Sequence, residues 1–206
     1  LVVSPTLAHH FIISHTASFL KKNPGTQLQL DIQATDVIVS GILDLRYDLG
    51  LTTEKIQRSG VHLMTWRRCQ VVCAMPTGHA LSEKSIVTPE DLQDVEFIAF
   101  LRRLGTRANT EQLFARAGAH PKQVAETATN MAALELVREG LGVTLTNPFP
   151  LLASGIDGIE VRPFDVAIYY YTSFVLPSGR PPTNLARQFM RFVKLTTPQD
   201  KYSEPV

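Results

Sequence analysis

The stretch Val124–Pro148, VAETATNMAALELVREGLGVTLTNP, has the pattern of a strand, a helix and a second strand. Met131, Leu134 and Val137 recur at the spacing of one helix face. Gly140 falls where a helix commonly ends, and the run VTLT that follows favours a strand. Because two strands joined through a helix form a right-handed crossover, the stretch predicts an α/β fold with a largely parallel sheet.

The rest of the chain supplies more elements of the same two kinds. Its patterns predict strands over 1–4, 27–33, 48–51, 97–100, 159–163 and 169–176, and helices over about 7–22, 37–45, 109–117 and 185–192. Thr35 or Asp36 is expected to cap the second helix. The run 61–75, VHLMTWRRCQVVCAM, is longer than a usual strand of about five or six residues, so we expect it to pass between two sheets.

Two halves of this kind, one on each side of the long run, indicate two α/β lobes joined by two crossing strands. We assign residues 1–73 and 174–206 to lobe I and residues 74–173 to lobe II.

Composition excludes several classes of protein. The 20 Lys and Arg residues balance 19 Asp and Glu residues, which argues against strong binding of a polyanion by this chain alone. No apolar run reaches the ~18 residues of a membrane span, and no N-terminal segment resembles a secretory signal. The chain opens in an apolar run with a residue other than Met, so we expect a further segment to precede it.

Catalytic signatures are missing from the sequence. It has no GxSxG, Walker, GxGxxG or HExxH motif, so we expect no enzymatic activity, no cofactor and no metal site; a small-molecule enzyme stays as an alternative. On one strand Cys69 and Cys73 would lie about 13 Å apart, too far for a disulfide. We expect small buried residues in a reducing compartment, with a redox role as the alternative.

Polar side chains and one arginine cluster where predicted strands end and predicted helices begin. These residues are Ser4, Thr6, Thr35, Thr52, Thr106, Arg107, Thr129, Asn130 and Asn147. Each alone is commonly a cap or turn residue. Their shared position, where helix N-termini leave backbone N–H groups unpaired, indicates a receptor for a small anionic or zwitterionic molecule.

Four segments together are similar to a known family: SPTLAHHFI, SGILDLRYDLGL, CQVVCAMPTGHAL and ETATNMAALELVREGLGVTLTNP. They resemble the effector-binding domain of LysR-type transcriptional regulators, and the resemblance covers essentially the whole chain in the same order. MPTGHAL followed by PEDL, and the LVREGLGV turn, are specific features. VRPF at 161–164 and RPPTNLARQF are most similar to the branch that senses opines and basic amino acids.

The resemblance implies a type-2 periplasmic-binding-protein-like fold with two α/β lobes, hinge strands and an effector cleft between them. It implies a cytoplasmic homodimer or homotetramer, without membrane contact, that reaches promoter DNA only through an N-terminal winged helix-turn-helix domain absent from this chain. The effector would shift the population of lobe arrangements, and the oligomer would relay that shift to the DNA-binding domains.

The resemblance also implies effector contacts in lobe I. It places Ser4 and Thr6 in the first-strand loop that holds the effector carboxylate, and Thr52 after the third strand. The hypothesis is an effector-sensing domain for a carboxylate-bearing metabolite, an opine or an amino acid. The alternative, a solute-binding protein of a transporter, shares the fold.

In lobe II the resemblance assigns contacts to the loop Gly105-Thr106-Arg107 and to the helix start Thr129-Asn130. Asn147 stands where the basic-amino-acid branch often carries an aspartate that receives a cationic amine. That departure removes a charge and leaves the partner of a cationic group open.

Overall fold

The computed structural model describes residues 1–152, 155–166 and 168–206, and it divides the chain into two units. Unit 1 comprises Leu1–Cys69 and Tyr170–Val206, and unit 2 comprises Gln70–Tyr169. The chain therefore leaves unit 1 once and returns once. Both divisions fall four residues earlier than the lobe boundaries at 73/74 and 173/174 expected from the sequence.

Eleven strands and six α-helices are present in the described residues. The strands are β1 (Val2–Val3), β2 (Asp31–Ile32), β3 (Gly50–Thr52), β4 (Val61–Gln70), β5 (Val72–Pro76), β6 (Glu96–Phe100), β7 (Lys122–Thr127), β8 (Thr144–Thr146), β9 (Ile159–Pro163), β10 (Tyr169–Pro177) and β11 (Ser203–Pro205). The helices are α1 (Pro5–Leu7), α2 (Ile13–Lys22), α3 (Thr35–Leu43), α4 (Gly105–Ala117), α5 (Asn130–Arg138) and α6 (Asn184–Thr196). A π-helical segment, Ala8–Ile12, joins α1 to α2, and short 3₁₀ turns lie at Ala80–Glu83 and Glu90–Leu92.

Unit 1 is a six-stranded sheet in the order β11-β4-β10-β3-β1-β2. Neighbouring residues of a strand point to opposite faces, and each face has its own cover. On one face Val175 packs with Ile38 and Ile42 of α3. On the other, the Phe174 ring lies 5.8 Å from the ring of Trp66, in an aromatic cluster that extends to α2 and α6.

Unit 2 combines an antiparallel sheet, β8-β5-β9, with the parallel pair β6-β7. Val143 connects the two, because its N–H donates to the Glu96 carbonyl and its carbonyl accepts from Ile98, each at 2.8 Å. Helix α5 covers the junction, where Ala133 and Val137 pack with Ile98 in one buried cluster.

The turn between α5 and β8 depends on glycine at two positions. Gly140 has a φ of 80° just past the helix, which L side chains rarely adopt, as the sequence predicted for a helix end. Gly142 has a φ of 153°, and a Cβ there would lie 2.3 Å from the Glu96 carbonyl oxygen. The close approach of β6 to the start of β8 therefore requires glycine.

Most predicted elements are present, with two corrections and one confirmation. The predicted strand over 27–33 is only Asp31–Ile32, because β1 pairs with two of its residues. The run 61–75 is two strands, β4 in the sheet of unit 1 and β5 in a sheet of unit 2, which confirms that it passes between sheets. Thr35 is the first residue of α3 and makes no cap, since the N-cap is Ala34.

A buried ion pair holds β11 on the edge of unit 1. Arg67 Nη1 donates to Asp200 Oδ2 at 2.7 Å, and the two side chains are 5% and 8% exposed. Asp200 also accepts from the N–H groups of Tyr202 and Ser203, each at 2.8 Å. A second pair, between Arg68 of β4 and Glu204 of β11, is 44% and 60% exposed.

We expect Asp200→Ala to lower the free energy of unfolding of unit 1 by about 3–5 kcal/mol, because the buried guanidinium loses its counter-charge. Glu204→Ala should cost under about 1 kcal/mol, as exposed pairs do. Urea unfolding followed by the fluorescence of Trp66, the single tryptophan, measures both. Equal losses in the two variants would contradict this account.

Candidate functional site

The parallel strands β2, β1 and β3 of unit 1 end together, at what we call the unit 1 exit edge (Ser4, Thr6, Thr35 and Thr52). Val2 and Val3 pair in parallel with both neighbouring strands. The carboxyl ends of parallel strands meet at one edge of a sheet, where α1 and α3 also begin. The structure thus brings the predicted lobe I residues together.

Ser4 carries a buried hydroxyl without a hydrogen-bond partner. The residue is 6% exposed and is the N-cap of α1, yet its side chain makes no cap hydrogen bond. Only its backbone is engaged: its N–H donates to the Leu51 carbonyl at 2.9 Å. A buried hydroxyl without a partner costs about 1–3 kcal/mol, which a hydrogen bond to a ligand would recover.

Thr52 is fully buried and already has two partners. Its Oγ1 accepts from the Glu54 N–H at 3.1 Å and lies 2.9 Å from Thr35 Oγ1. If Thr52 donates to Thr35, the hydroxyl proton of Thr35 is left for a ligand. Thr35 is half-buried, so it is the better placed of the two to contact a ligand. Thr6 is also half-buried and lies in α1, two residues from Ser4.

The residues that follow the parallel strands of unit 2 also meet at one edge, which we call the unit 2 exit edge (Gly105, Thr106, Thr129, Asn130 and Asn147). Strands β6 and β7 are parallel, and the segment entering β8 is parallel to β6. Their carboxyl ends precede α4, α5 and the residue Asn147 in turn.

A hydrogen bond joins the start of α5 to the end of β8. Asn130 Nδ2 donates to the Asn147 carbonyl at 3.3 Å, and both residues are buried. Thr129 is the N-cap of α5, and its Oγ1 accepts from the Ala132 N–H at 3.2 Å. Asn147 Oδ1 accepts from the Phe149 N–H at 3.0 Å. Three predicted residues thus lie together.

Thr146 is a candidate that the sequence reasoning did not include. It is fully buried, and its Oγ1 has no hydrogen-bond partner. Thr144, on the same face of β8, instead donates to the Ile98 carbonyl at 2.9 Å. The alternation in VTLT is the signal that could have found it, because it places both threonine hydroxyls on one face.

The predicted loop Gly105-Thr106-Arg107 is wrong as a loop, because these residues form the first turn of α4. Gly105 is exposed, and an added Cβ would meet no atom within 4 Å, so the fold does not require glycine there. Thr106 is half-buried. Helix α4 begins earlier than its apolar pattern suggested, since its first turn is polar.

Arg107 lies in the framework of unit 2. The residue is 7% exposed, and its guanidinium donates to Glu111 Oε1, the Phe100 carbonyl, Glu126 Oε1 and Gln123 Oε1 at 2.7–2.9 Å. Hydrogen bonds from Gln123 and Arg107 hold the pKa of Glu126 below its ordinary value. Since the guanidinium is occupied within its own unit, we leave Arg107 out of the proposed effector contacts.

The described residues lack a cluster of metal ligands, and the Cys73 thiol is not activated. They contain no group of three His, Cys, Asp or Glu that could hold a metal ion. Cys69 and Cys73 are buried, and burial raises the pKa of the Cys73 thiol to about 12, so it stays protonated and a weak nucleophile. No helix among these residues is long and apolar enough to cross a membrane.

Comparison with known proteins now adds the family. Residues 1–197 match the model of the LysR substrate binding domain. The chain belongs to that family. It is 27% identical over 195 residues to the transcriptional activator protein LysR of Escherichia coli. The matched region covers 95% of this chain and 63% of that protein. It is 26% identical over 168 residues to the octopine catabolism/uptake operon regulatory protein OccR of Rhizobium meliloti, covering 82% of this chain and 55% of that protein.

Solved structures support the fold. The regulatory domain of Synechocystis CcmR in complex with 2-PG has a TM-score of 0.80 at 20% identity, with 95% of both chains covered. The effector-binding domain of QuiR in complex with shikimate has a TM-score of 0.74 at 16% identity, with 94% and 93% covered. The chain has the type-2 periplasmic-binding-protein-like fold of LysR effector-binding domains, which confirms the predicted fold class. Such domains are generally not enzymes.

We expect Arg107→Met to destabilise unit 2 by about 2–3 kcal/mol, because the Phe100 carbonyl loses the buried guanidinium donor and Glu126 keeps only the hydrogen bond from Gln123. Arg116→Met, on the exposed face of the same helix, should cost under about 1 kcal/mol. Urea unfolding followed by far-ultraviolet circular dichroism compares them. An Arg107→Met variant as stable as the parent would show that the guanidinium is dispensable to the framework.

Proposed function

We propose that this chain senses a small carboxylate-bearing metabolite for a LysR-type transcriptional regulator. The observation that carries the proposal is the Ser4 hydroxyl, which is buried, unpartnered and positioned at the start of a helix on the unit 1 exit edge. This hydroxyl can donate to one oxygen of an anion, and the start of a helix favours negative charge. The chain spans 63% and 55% of the lengths of LysR and OccR, and we propose that the regulator binds DNA through a part outside these 206 residues.

The proposed contacts lie on both exit edges. Ser4, Thr6 and the Thr35–Thr52 pair would bind the carboxylate from unit 1. Thr129, Asn130, Thr146, Asn147 and the first turn of α4 at Gly105-Thr106 would bind the rest of the molecule from unit 2. An effector that contacts both edges favours one arrangement of the units over others, which is how binding would reach the DNA-binding domains. We propose that the regulator works as a homodimer or homotetramer in the cytoplasm.

The proposed effector class draws on the small molecules that are named with similar proteins. Shikimate, bound to QuiR, is a carboxylate, and octopine, in the name of OccR, is an amino-acid-derived one. An opine or amino acid is therefore our proposal within the carboxylate class. Asn147 is neutral, and its Oδ1 already accepts the Phe149 N–H. We propose that a cationic group of the effector, if it has one, is recognised away from this side chain.

A transporter's solute-binding protein is not favoured. LysR and OccR, whose sequences match most of this chain, are both regulators.

We expect a carboxylate from the set octopine, arginine, lysine and shikimate to raise the melting temperature. At about 100 times its Kd a ligand adds about 2.7 kcal/mol, which is roughly 5–10 °C for a chain of this size. Ser4→Ala should raise its Kd by roughly tenfold or more, because a hydrogen bond to a charged group is lost. It should leave the unliganded melting temperature unchanged or higher, since it removes an unsatisfied buried hydroxyl.

Thr16→Val is the matched control. Thr16 is 8% exposed and its Oγ1 is also without a partner, but it lies within α2, away from the exit edge. Its removal should leave effector binding intact. A carboxylate that binds Ser4→Ala and the parent equally well would refute the proposed role of Ser4.

A further inference from the structure

Unit 1 contains a cavity apart from the residues of its exit edge. It measures about 400 Å³, within the range of small-molecule sites, and every residue that lines it belongs to unit 1. Its floor is formed by β4 and β10, and the segment Lys55–Gln57 that follows β3 forms one wall.

The cavity has a structural cause in the alternation of β10. Ser173 and Tyr171 lie two and four residues before Val175 and therefore point to the face of the sheet that α3 covers at Val175. Further along that face, the segment Lys55–Gln57 takes the place of a helix as cover. A short segment covers less area than a helix, so space remains beside the strands.

The walls and floor of the cavity differ in polarity. Ile56, Leu63 and the Tyr171 ring supply apolar surface and are half-buried. On the floor, Thr65 Oγ1 and Ser173 Oγ lie 2.8 Å apart, and Ser173 is 2% exposed. Two hydroxyls that share one hydrogen bond keep a second O–H free to donate to a ligand.

The ammonium group of Lys55 places a positive charge at this cavity. Lys55 Nζ lies 4.5 Å from the centroid of the Tyr171 ring, and Lys55 forms no ion pair with any residue in 1–152, 155–166 or 168–206. This ammonium lies over an aromatic ring and pairs with no carboxylate of the described residues. It is therefore complementary to the negative charge of a ligand whose apolar part fills the cavity.

We propose that this cavity is a second binding site, for a small carboxylate with an apolar ring or chain. The apolar part packs against Ile56, Leu63 and Tyr171, and the carboxylate pairs with Lys55. The site stands independently of the effector site proposed above. Strands β4 and β10 carry the chain out of unit 1 and back into it, so a ligand here contacts both of these strands and can bias the response to the effector.

The test uses 4-phenylbutyrate and its uncharged analogue 4-phenylbutanamide as probes on the 206-residue chain, with ¹H–¹³C methyl spectra as the readout. The acid should shift the methyl signals of Ile56 and Leu63 saturably, whereas those of Ile86, an exposed residue of unit 2, stay unchanged. The amide should bind at least about fivefold more weakly, because it cannot pair with Lys55.

Lys55→Met should raise the Kd of the acid at least about fivefold and leave that of the amide nearly unchanged. Lys201→Met is the matched control, since Lys201 Nζ lies 4.8 Å from the Tyr202 ring and does not line the cavity; it should bind both probes as the parent does. The absence of saturable shifts at Ile56 and Leu63 up to about 10 mM of the acid would overturn the site. Equal binding of acid and amide, or of the acid to Lys55→Met and the parent, would overturn the carboxylate specificity.

Discussion

Parallel pairing of short strands is the interaction on which the rest of this structure depends. In unit 1, β1 is paired on both sides in the same direction, so that the residues after three strands meet at one edge. In unit 2, Val143 links the entry of β8 to β6 and extends the parallel arrangement begun by β6 and β7. Helices that return the chain to the next parallel strand must then begin at the same edge. Hydroxyls, amides and helix N-termini are collected there by topology, and residues far apart in sequence become neighbours.

That constraint explains which parts of the fold could be predicted from the sequence. Helix α5 carries its apolar residues at regular spacing and is followed by Gly140, so its presence and its end were predicted correctly. The start of α4 was missed because its first turn, Gly105-Thr106-Arg107, has no apolar periodicity. The strand over 27–33 was predicted too long. Alternation of polar and apolar residues shows only that the two faces of a segment differ in polarity. The length of the strand depends instead on how many of its residues pair with the neighbouring strand.

For the candidate site, residue type and position at an element end predicted which residues meet, but not what each contacts. Ser4 and Thr52 were equivalent in the sequence, yet in the structure one hydroxyl has no partner and the other is engaged by Glu54 and Thr35. Arg107 was the one charged candidate, and its acceptors come from α4, β6 and β7, which a linear pattern cannot reveal. The cavity beside Lys55 was not predicted at all, because it arises where a loop replaces a helix over the sheet.

We propose that one carboxylate effector contacts residues of both exit edges. Hydrogen–deuterium exchange of the chain, with and without a carboxylate that raises its melting temperature, tests this most directly. We expect the backbone amides of residues 4 and 6–8 and those of residues 129–132 to exchange at least about tenfold more slowly with the effector bound. Slower exchange at only one of these two segments, or at neither, would contradict it.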